Sequence, residues 1–190
     1  MKYYDPKITK NELLNRLHRF DEEIFLLALE KEDTEVRFRM DIVGSSCLLL
    51  NEINVPATQD IDVIRHNIRL DEKILYKYDM NTRSTTMENY LPYNYQDRMI
   101  KLNIETKIVD YYYLSLEDVI VAKIVAAREK DDAHLNSNNL VSKIHWPTLK
   151  MCMNEMRYSL LNIKDFDWMV IRYNDFVKRN NHEEVIIKNI

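Results

Sequence analysis

The chain contains a single glycine, Gly44, among 190 residues, and only four prolines. Average usage would give a chain of this length roughly 13 glycines. The scarcity excludes collagen-like, glycine-linker and glycine-rich β-repeat architectures. It also excludes Rossmann dinucleotide turns and Walker loops, because each needs at least two glycines at fixed spacing. We therefore expect Gly44 to stand where another residue is unacceptable, which makes it the first candidate position for a functional site.

Composition and charge restrict the class of protein. Hydrophobic residues make up 46% of the chain, enough for a core, and no apolar run is long enough to predict a transmembrane helix. The first residues lack the apolar stretch of a signal peptide. Cys47 and Cys152 match no metal-site or disulfide spacing, so we expect buried thiols. A net charge of −4 argues against extensive nucleic-acid coating but is compatible with a local contact. We expect a cytoplasmic protein with no membrane partner.

Hydrophobic periodicity predicts helices and strands in alternation, followed by a helical tail. Thr9 and Glu12 form a capping box ahead of apolar residues at helical spacing. From Val36 to Val43 apolar and polar residues alternate, which is the pattern of a half-buried strand leading into Gly44. The predicted elements are a helix over residues 10–31, a strand over 36–43, a short helix from 45 or 46 toward 53, a turn over 54–59, a strand over 60–64, a helix over 69–78, a loop over 79–95, a strand pair over 99–102 and 107–113, a helix over 115–135, a helix that begins near 147 and a helix over 165–179.

This order of elements is typical of an α/β (α+β) fold in which helices flank a small mixed β-sheet. We predict one such domain over residues 1–135. A helical C-terminal appendage over residues 136–190 is expected to pack on it and carries no motif of its own.

Two aspartates and the glycine turn form the strongest candidate site. Asp60 and Asp62 alternate along a predicted strand, so both carboxylates point to the same side. Their mutual repulsion favours a hard divalent cation such as Mg²⁺. The turn of Gly44, Ser45 and Ser46 joins a strand to a short helix and offers N–H groups and hydroxyls to an anion. Metal carboxylates beside a phosphate cradle predict metal-assisted phosphoryl or nucleotidyl transfer.

A lysine interrupts the apolar stretch of the helix predicted over residues 115–135. On one continuous helix, Lys130 falls within roughly 20° of Lys123, and Asp131 lies between Lys123 and Arg128. Lys123 either extends its charged end to solvent or places it on a triphosphate, and both interpretations stay open at this point.

Together these motifs resemble the DNA-polymerase-β-like nucleotidyltransferase superfamily. The resemblance is carried by the segments Gly44-Ser45-Ser46, Ala57-Thr58-Gln59-Asp60-Ile61-Asp62-Val63, Leu114 to Lys123 and Arg128-Glu129-Lys130-Asp131. Within the superfamily, the chain is most similar to the minimal bacterial branch that includes AbiEii-type and MenT-type toxins. The similarity covers about residues 36–135.

The resemblance implies a nucleotidyltransferase fold and a role for each matching residue. The implied catalytic residues are Asp60, Asp62, Lys123 and Asp131, with Asp60 and Asp62 as the metal ligands. The implied nucleotide-binding residues are Gly44, Ser45, Ser46, Lys123, Arg128 and Lys130.

The chain departs from the family pattern at two points. Val43 precedes Gly44 where many relatives have a second glycine. A third metal carboxylate is common in the superfamily, and spacing leaves Glu105, Asp110 and Asp131 as candidates.

The resemblance also implies an activity and partners. The expected enzyme is a Mg²⁺-dependent nucleotidyltransferase that moves a nucleotide from an NTP to an acceptor hydroxyl. By the same resemblance the acceptor is RNA, in particular a tRNA 3′ end, and the protein is a toxin with a cognate antitoxin. Two alternatives stay open: a small-molecule nucleotidyltransferase with the same site, and a non-catalytic protein that keeps the fold and acts through a partner.

Overall fold

The computed structural model describes residues 8–55, 58–66, 70–82, 88–159 and 163–188. Within these ranges the strands are β1 (Phe38–Val43), β2 (Ile61–His66), β3 (Met80–Asn81), β4 (Ile100–Lys101) and β5 (Val109–Tyr113). The α-helices are α1 (Lys10–Glu30), α2 (Ser46–Leu50), α3 (Glu72–Lys77), α4 (Leu116–Ala126), α5 (Glu129–Leu135), α6 (Trp146–Ser159) and α7 (Ile163–Arg179). The predicted mixed sheet flanked by helices is confirmed. Residues 56 and 57 of the predicted turn, 69 of a predicted helix and 83–87 of the predicted loop lie outside the described residues.

The five strands form one mixed sheet in the order β3-β2-β1-β5-β4. The central strand β1 runs antiparallel to β2 and parallel to β5. Because β1 and β2 are antiparallel, the end of one lies beside the start of the other, and Val43 pairs with Asp62. This register brings the residue after β1, Gly44, to the aspartates at the start of β2.

Helix α1 covers one face of the sheet, as its periodicity predicts. Thr9 caps it by accepting a hydrogen bond from the Glu12 backbone N–H (3.3 Å). Its buried apolar stripe consists of Leu13, Leu17, Phe20, Ile24 and Ala28. Tyr111 of β5 donates to the Leu17 carbonyl (2.9 Å). The buried Asp21 carboxylate accepts the N–H groups of residues 107–109, which fixes the start of β5 against the helix.

The single helix predicted over residues 115–135 is wrong. Ala127 adopts a left-handed conformation (φ 54°) and separates α4 from α5. Alanine is the best helix former, so the residue types give no sign of the break. One tertiary and one local contact stabilise the break. Arg172 of α7 donates to the Ile124 carbonyl at the end of α4 (2.9 Å), and Arg128 pairs with Asp131 three residues later (2.7 Å).

The loop predicted over residues 79–95 is also partly wrong. Met80 and Asn81 form an edge strand parallel to β2, and Glu88–Tyr90 forms a 3₁₀ turn. A strand of two residues has no period to detect, so pairing with β2, rather than its own sequence, defines it.

A buried charge cluster joins α6 to the helix that follows the sheet. Arg98 donates to Asp118 of α4 (2.7 Å) and to Glu155 of α6 (2.8 Å), and Asp118 is fully buried. Removing one member of such a cluster leaves a buried charge without its partner, which is strongly destabilising.

The division of the chain after residue 135 stays a prediction. None of the described helices is long and apolar enough to cross a membrane.

Several turns of this glycine-poor chain use residues that resist the left-handed conformation. The described non-glycine residues with positive φ are Glu32, Glu52, Asp79, Ala127 and Asn181. All five lie one or two residues after the last residue of a helix, where glycine is the usual choice. After α1, the Glu32 N–H donates to the Leu29 carbonyl and the Asp33 N–H to the Ala28 carbonyl, the bond pair of a Schellman motif.

Replacing Glu32 by glycine is expected to raise the free energy of unfolding by about 0.5–1 kcal/mol. Relief of the left-handed strain is worth about 1–2 kcal/mol, and the greater freedom of glycine in the unfolded chain offsets part of it. Urea unfolding measures the change. Glu35→Gly is the matched control, because Glu35 is exposed and has no positive φ. An equal loss of stability in both variants would contradict the strain argument.

Candidate active site

Three polar side chains from two neighbouring strands meet at the start of β2. Asp60 and Asp62 alternate along the chain and share one side of the sheet. Asn81 of β3 pairs in register with Asp62. Its amide nitrogen donates to Asp62 Oδ1 (3.2 Å) and lies 3.5 Å from Asp60 Oδ2. The amide therefore bridges the two carboxylates.

The charge of the Asp62 carboxylate is poorly compensated by the described residues. Burial, and then the charge of Asp60, raise the pKa of Asp62 to about 6, against the smaller opposing effects of Lys130 and Arg128. A raised pKa means that the native structure disfavours the ionised form. A cation placed between the carboxylates would reverse this penalty.

Gly44 lies directly against Asp62. Its φ is +70°, and a Cβ atom there would collide with the Asp62 carboxylate and stand 3.2 Å from Asp62 Cγ. The backbone conformation therefore favours glycine, and any side chain here would displace the Asp62 carboxylate. The sequence predicts that a phosphate approaches the Gly44 backbone, whereas the close neighbour in the structure is the Asp62 carboxylate. The roles assigned to Gly44 and Asp62 remain predictions.

The two serines of the turn have different environments. Ser46 is buried, and its hydroxyl donates to the Asp60 carbonyl (3.1 Å), so it holds the start of β2. Ser45 is only partly buried, and its hydroxyl oxygen accepts from Lys123 Nζ (3.2 Å). Helix α2 has five residues, too few to contribute much of a dipole. Of the two serines, Ser45 is the more exposed.

Lys123 reaches the site from α4 as a buried ammonium, 3% exposed. Besides Ser45, Nζ lies 3.0 Å from Asp131 Oδ1 and 2.9 Å from His134 Nδ1. Burial lowers the pKa of Lys123, against the opposing effect of Asp131. Burial, and then the charge of Lys123, lower the pKa of His134 to about 4, so this ring is neutral at pH 7. A neutral ring can accept through Nδ1.

Asp131 is fully buried and organises the cations. It accepts from Lys123 on one oxygen and from Arg128 on the other (2.7 Å). Burial opposes its ionisation, but the hydrogen bond from Arg128 and the charge of Lys123 outweigh burial and hold the pKa of Asp131 below its ordinary value. The predicted proximity of Lys123, Arg128 and Asp131 is therefore observed, on two helices instead of one.

Lys130 lies apart from this cluster. It is exposed, whereas the continuous-helix argument placed it on the face of Lys123. The break at Ala127 reorients α5, and His134 takes the position beside Lys123. The charges of Lys130 and Arg128 still act on Asp62 and lower its pKa.

None of the candidates for a third metal carboxylate joins the aspartate pair. Glu105 is exposed between β4 and β5, and Asp110 is paired with Arg37 and Lys101. Asp131 is paired with Lys123 and Arg128. Among the described residues, no group of three or more His, Cys, Asp or Glu side chains converges on a metal position. The third polar group beside the pair is an amide, that of Asn81.

The residues at the aspartate pair nevertheless fit Mg²⁺. Magnesium takes oxygen ligands and is usually held by one or two carboxylates, with waters and substrate phosphates completing its shell. Asp60 and Asp62 supply the carboxylates. A rotation of the Asn81 amide would present its oxygen to the same position.

The sequence analysis did not predict two residues of the site, Asn81 and His134. Asn81 sits in a segment whose composition indicates a loop, and no local signal marks it. His134 follows Lys123 by three helical turns, a spacing that places both on one helical face. That signal was present, although the helix that it presumes is broken.

Comparison with known proteins adds a family. No curated protein and no solved structure matches the chain. A family model described as "nucleotidyltransferase of unknown function (DUF6036)" matches residues 15–181. The matched segment contains the whole sheet, the glycine turn, both aspartates, Lys123, most of α1 and helices α2 to α7. Because this is most of the chain, the protein is a member of that nucleotidyltransferase family.

Proposed function

We propose that this protein transfers a nucleotide from an NTP to an acceptor hydroxyl in a Mg²⁺-dependent reaction. The observation that carries the proposal is the pair of Asp60 and Asp62, with Asp62 against Gly44 and the buried Lys123 bonded to the Ser45 hydroxyl of the same turn. Among the described residues, the charges of Lys130 and Arg128 lower the pKa of Asp62 but do not bring it back to its ordinary value. A metal–triphosphate complex supplies both a cation for the carboxylates and an anion for the basic groups.

The chemistry is an in-line displacement at the α-phosphorus. The acceptor oxygen bonds to the α-phosphorus, the bridging bond to the β-phosphate breaks, and pyrophosphate leaves while the hydroxyl proton is released. Bound Mg²⁺ would polarise the phosphoryl oxygens and neutralise developing charge. Asp60 and Asp62 would hold it, and Arg128 and Lys130 supply positive charge that acts on Asp62.

We further propose that the acceptor is RNA and in particular a tRNA 3′ end, and that the protein acts as a toxin countered by an antitoxin. This part is supported by the resemblance to the AbiEii-type and MenT-type branch. A small-molecule acceptor bound at the same site is the competing activity.

The test incubates purified protein with each labelled NTP, total tRNA and Mg²⁺, with EDTA as the metal-free arm. Labelled tRNA that depends on Mg²⁺ and disappears in Asp60→Asn supports the proposal, and Asp33→Asn, at an exposed loop position, is the matched control. Label in a small molecule of a cell extract, with none in RNA, overturns the RNA acceptor and keeps the transfer activity. Turnover that survives Asp60→Asn, or no turnover with any acceptor, contradicts the proposed site and favours a non-catalytic role.

A further inference from the structure

The ammonium of Lys123 has three protons and three acceptors within the protein. Nζ lies 3.2 Å from Ser45 Oγ, 3.0 Å from Asp131 Oδ1 and 2.9 Å from His134 Nδ1. The side chain is 3% exposed, so water and ligands have little access to it. A protonated lysine donates three hydrogen bonds and accepts none. This ammonium is therefore saturated without a phosphate.

The environment is consistent with this assignment of donors and acceptors. His134 is neutral at pH 7, because burial and the charge of Lys123 lower its pKa to about 4. Its Nδ1 can then act only as an acceptor toward the ammonium. Asp131 is held ionised by Arg128 and Lys123. A single buried cation is thus surrounded by one carboxylate, one ring nitrogen and one hydroxyl.

The Ser45 hydroxyl accepts from the ammonium and can still donate a hydrogen bond through its own O–H. Its oxygen accepts from Lys123, and among the described residues no acceptor for its own O–H is found. Ser45 caps no helix N–H and is partly exposed, immediately after the glycine that touches Asp62. A hydroxyl that accepts from a cation is polarised and becomes a stronger donor.

We propose that Lys123 acts on the nucleotide through Ser45. The saturated ammonium fixes and polarises the Ser45 hydroxyl, this hydroxyl donates a hydrogen bond to a phosphate oxygen, and His134 positions the ammonium. The inference rests on the proposed function, since it presumes that a polyphosphate binds beside Asp62. It makes Lys123 and His134 positioning residues, in contrast to the direct phosphate contact that the family resemblance implies.

A double-mutant cycle separates the two arrangements. The probe is inorganic tripolyphosphate with Mg²⁺, which removes any influence of the nucleobase, and titration calorimetry gives its Kd. Ser45→Ala is expected to weaken binding about 10-fold or more, as for a hydrogen bond to a charged group. Lys123→Met should weaken it to a similar extent, and the double variant should bind within about 2-fold of the weaker single variant. If Lys123 touches phosphate itself, the two losses multiply, and the inference is wrong.

His134 provides a second cycle that does not remove the buried charge. His134→Leu leaves one ammonium N–H without an acceptor and should weaken tripolyphosphate binding in the presence of Ser45 but not in the Ser45→Ala background. His134→Asn, which restores an acceptor, should recover the affinity. An effect of His134→Leu that persists without Ser45 overturns the inference. Ser142→Ala, which removes an exposed hydroxyl far along the chain, is the control and should bind as wild type.

The outcome also distinguishes this inference from the proposed function. Wild-type protein that binds neither tripolyphosphate nor any NTP in the presence of Mg²⁺ overturns both. Wild-type protein that binds, together with multiplicative losses in the cycle, overturns only the relay through Ser45.

Discussion

Asp62→Asn should reduce nucleotide transfer by at least about 10³-fold while making the metal-free protein more stable. The loss follows because the change removes one of two carboxylates available to a metal, whose contribution to transition-state stabilisation is several kcal/mol. The gain follows because the native structure disfavours the ionised Asp62, and an amide of the same shape carries no charge. Such an exchange of stability for activity is common at functional sites.

The pH dependence of the stability gain has a defined sign. The pKa of Asp62 is raised from 3.8 to about 6, so the native state binds the proton more tightly than the unfolded state does. The protonated Asp62 carboxyl therefore contributes to the stability of the native state. This contribution is fully present below pH 3.8 and is lost as the pH rises through 6. Above pH 7, we expect metal-free Asp62→Asn to exceed wild type by about 2 kcal/mol after allowance for the partial exposure of the carboxylate. At pH 4 the difference should be close to zero.

Urea unfolding in EDTA at pH 4, 6 and 8 measures this difference. Addition of Mg²⁺ at pH 8 should stabilise wild type by linkage and leave Asp62→Asn unchanged. Asp33→Asn serves again as the control for loss of an exposed carboxylate. Equal stability of Asp62→Asn and wild type at pH 8 would contradict the electrostatic account of the pair.

Gly44→Ala should lower the free energy of unfolding by about 3 kcal/mol or more and weaken Mg²⁺–NTP binding by at least about 100-fold. The left-handed backbone costs an alanine about 1–2 kcal/mol, and accommodation of the extra methyl adds a further cost. The methyl meets the Asp62 carboxylate, so relief of the collision displaces a candidate metal ligand. The structure thus adds a stability cost to the loss of nucleotide binding that the turn alone predicts.

The source of this cost can be isolated by a second substitution. In an Asp62→Ala background the carboxylate is absent, and Gly44→Ala should cost only the backbone strain, about 1–2 kcal/mol. Chemical unfolding of the four proteins of this cycle gives the coupling between the two positions. If the cost of Gly44→Ala is the same in both backgrounds, the contact with Asp62 does not explain the requirement for glycine.

The local part of the site follows from the sequence. The strand that ends at Val43, the turn at Gly44 and the strand that carries Asp60 and Asp62 are predicted correctly because each has a period or a turn residue of its own. The antiparallel pairing of β1 with β2 then brings the turn to the aspartates. The proximity of Lys123, Arg128 and Asp131 is also predicted correctly, although the single helix used to argue it does not exist.

The remaining parts of the site depend on contacts between segments distant in the chain. Asn81 reaches the aspartates only because a two-residue strand pairs with β2, and no local pattern marks so short a strand. His134 and Asp131 come within hydrogen-bond distance of Lys123 across the break at Ala127, next to which Arg172 from α7 donates to the Ile124 carbonyl. A helix former such as alanine adopts a left-handed conformation when tertiary bonds outweigh its local preference.

The single glycine shows where sequence and tertiary structure divide. The rarity of glycine was enough to mark Gly44 as a special backbone position. Positive φ alone does not explain the glycine, since five other described residues adopt positive φ without being glycine. The sequence could not show why Gly44 differs from those five. The tertiary structure gives the reason. The Asp62 carboxylate, from the neighbouring strand, lies beside Gly44, so a side chain at position 44 would collide with a group on which the proposed chemistry depends.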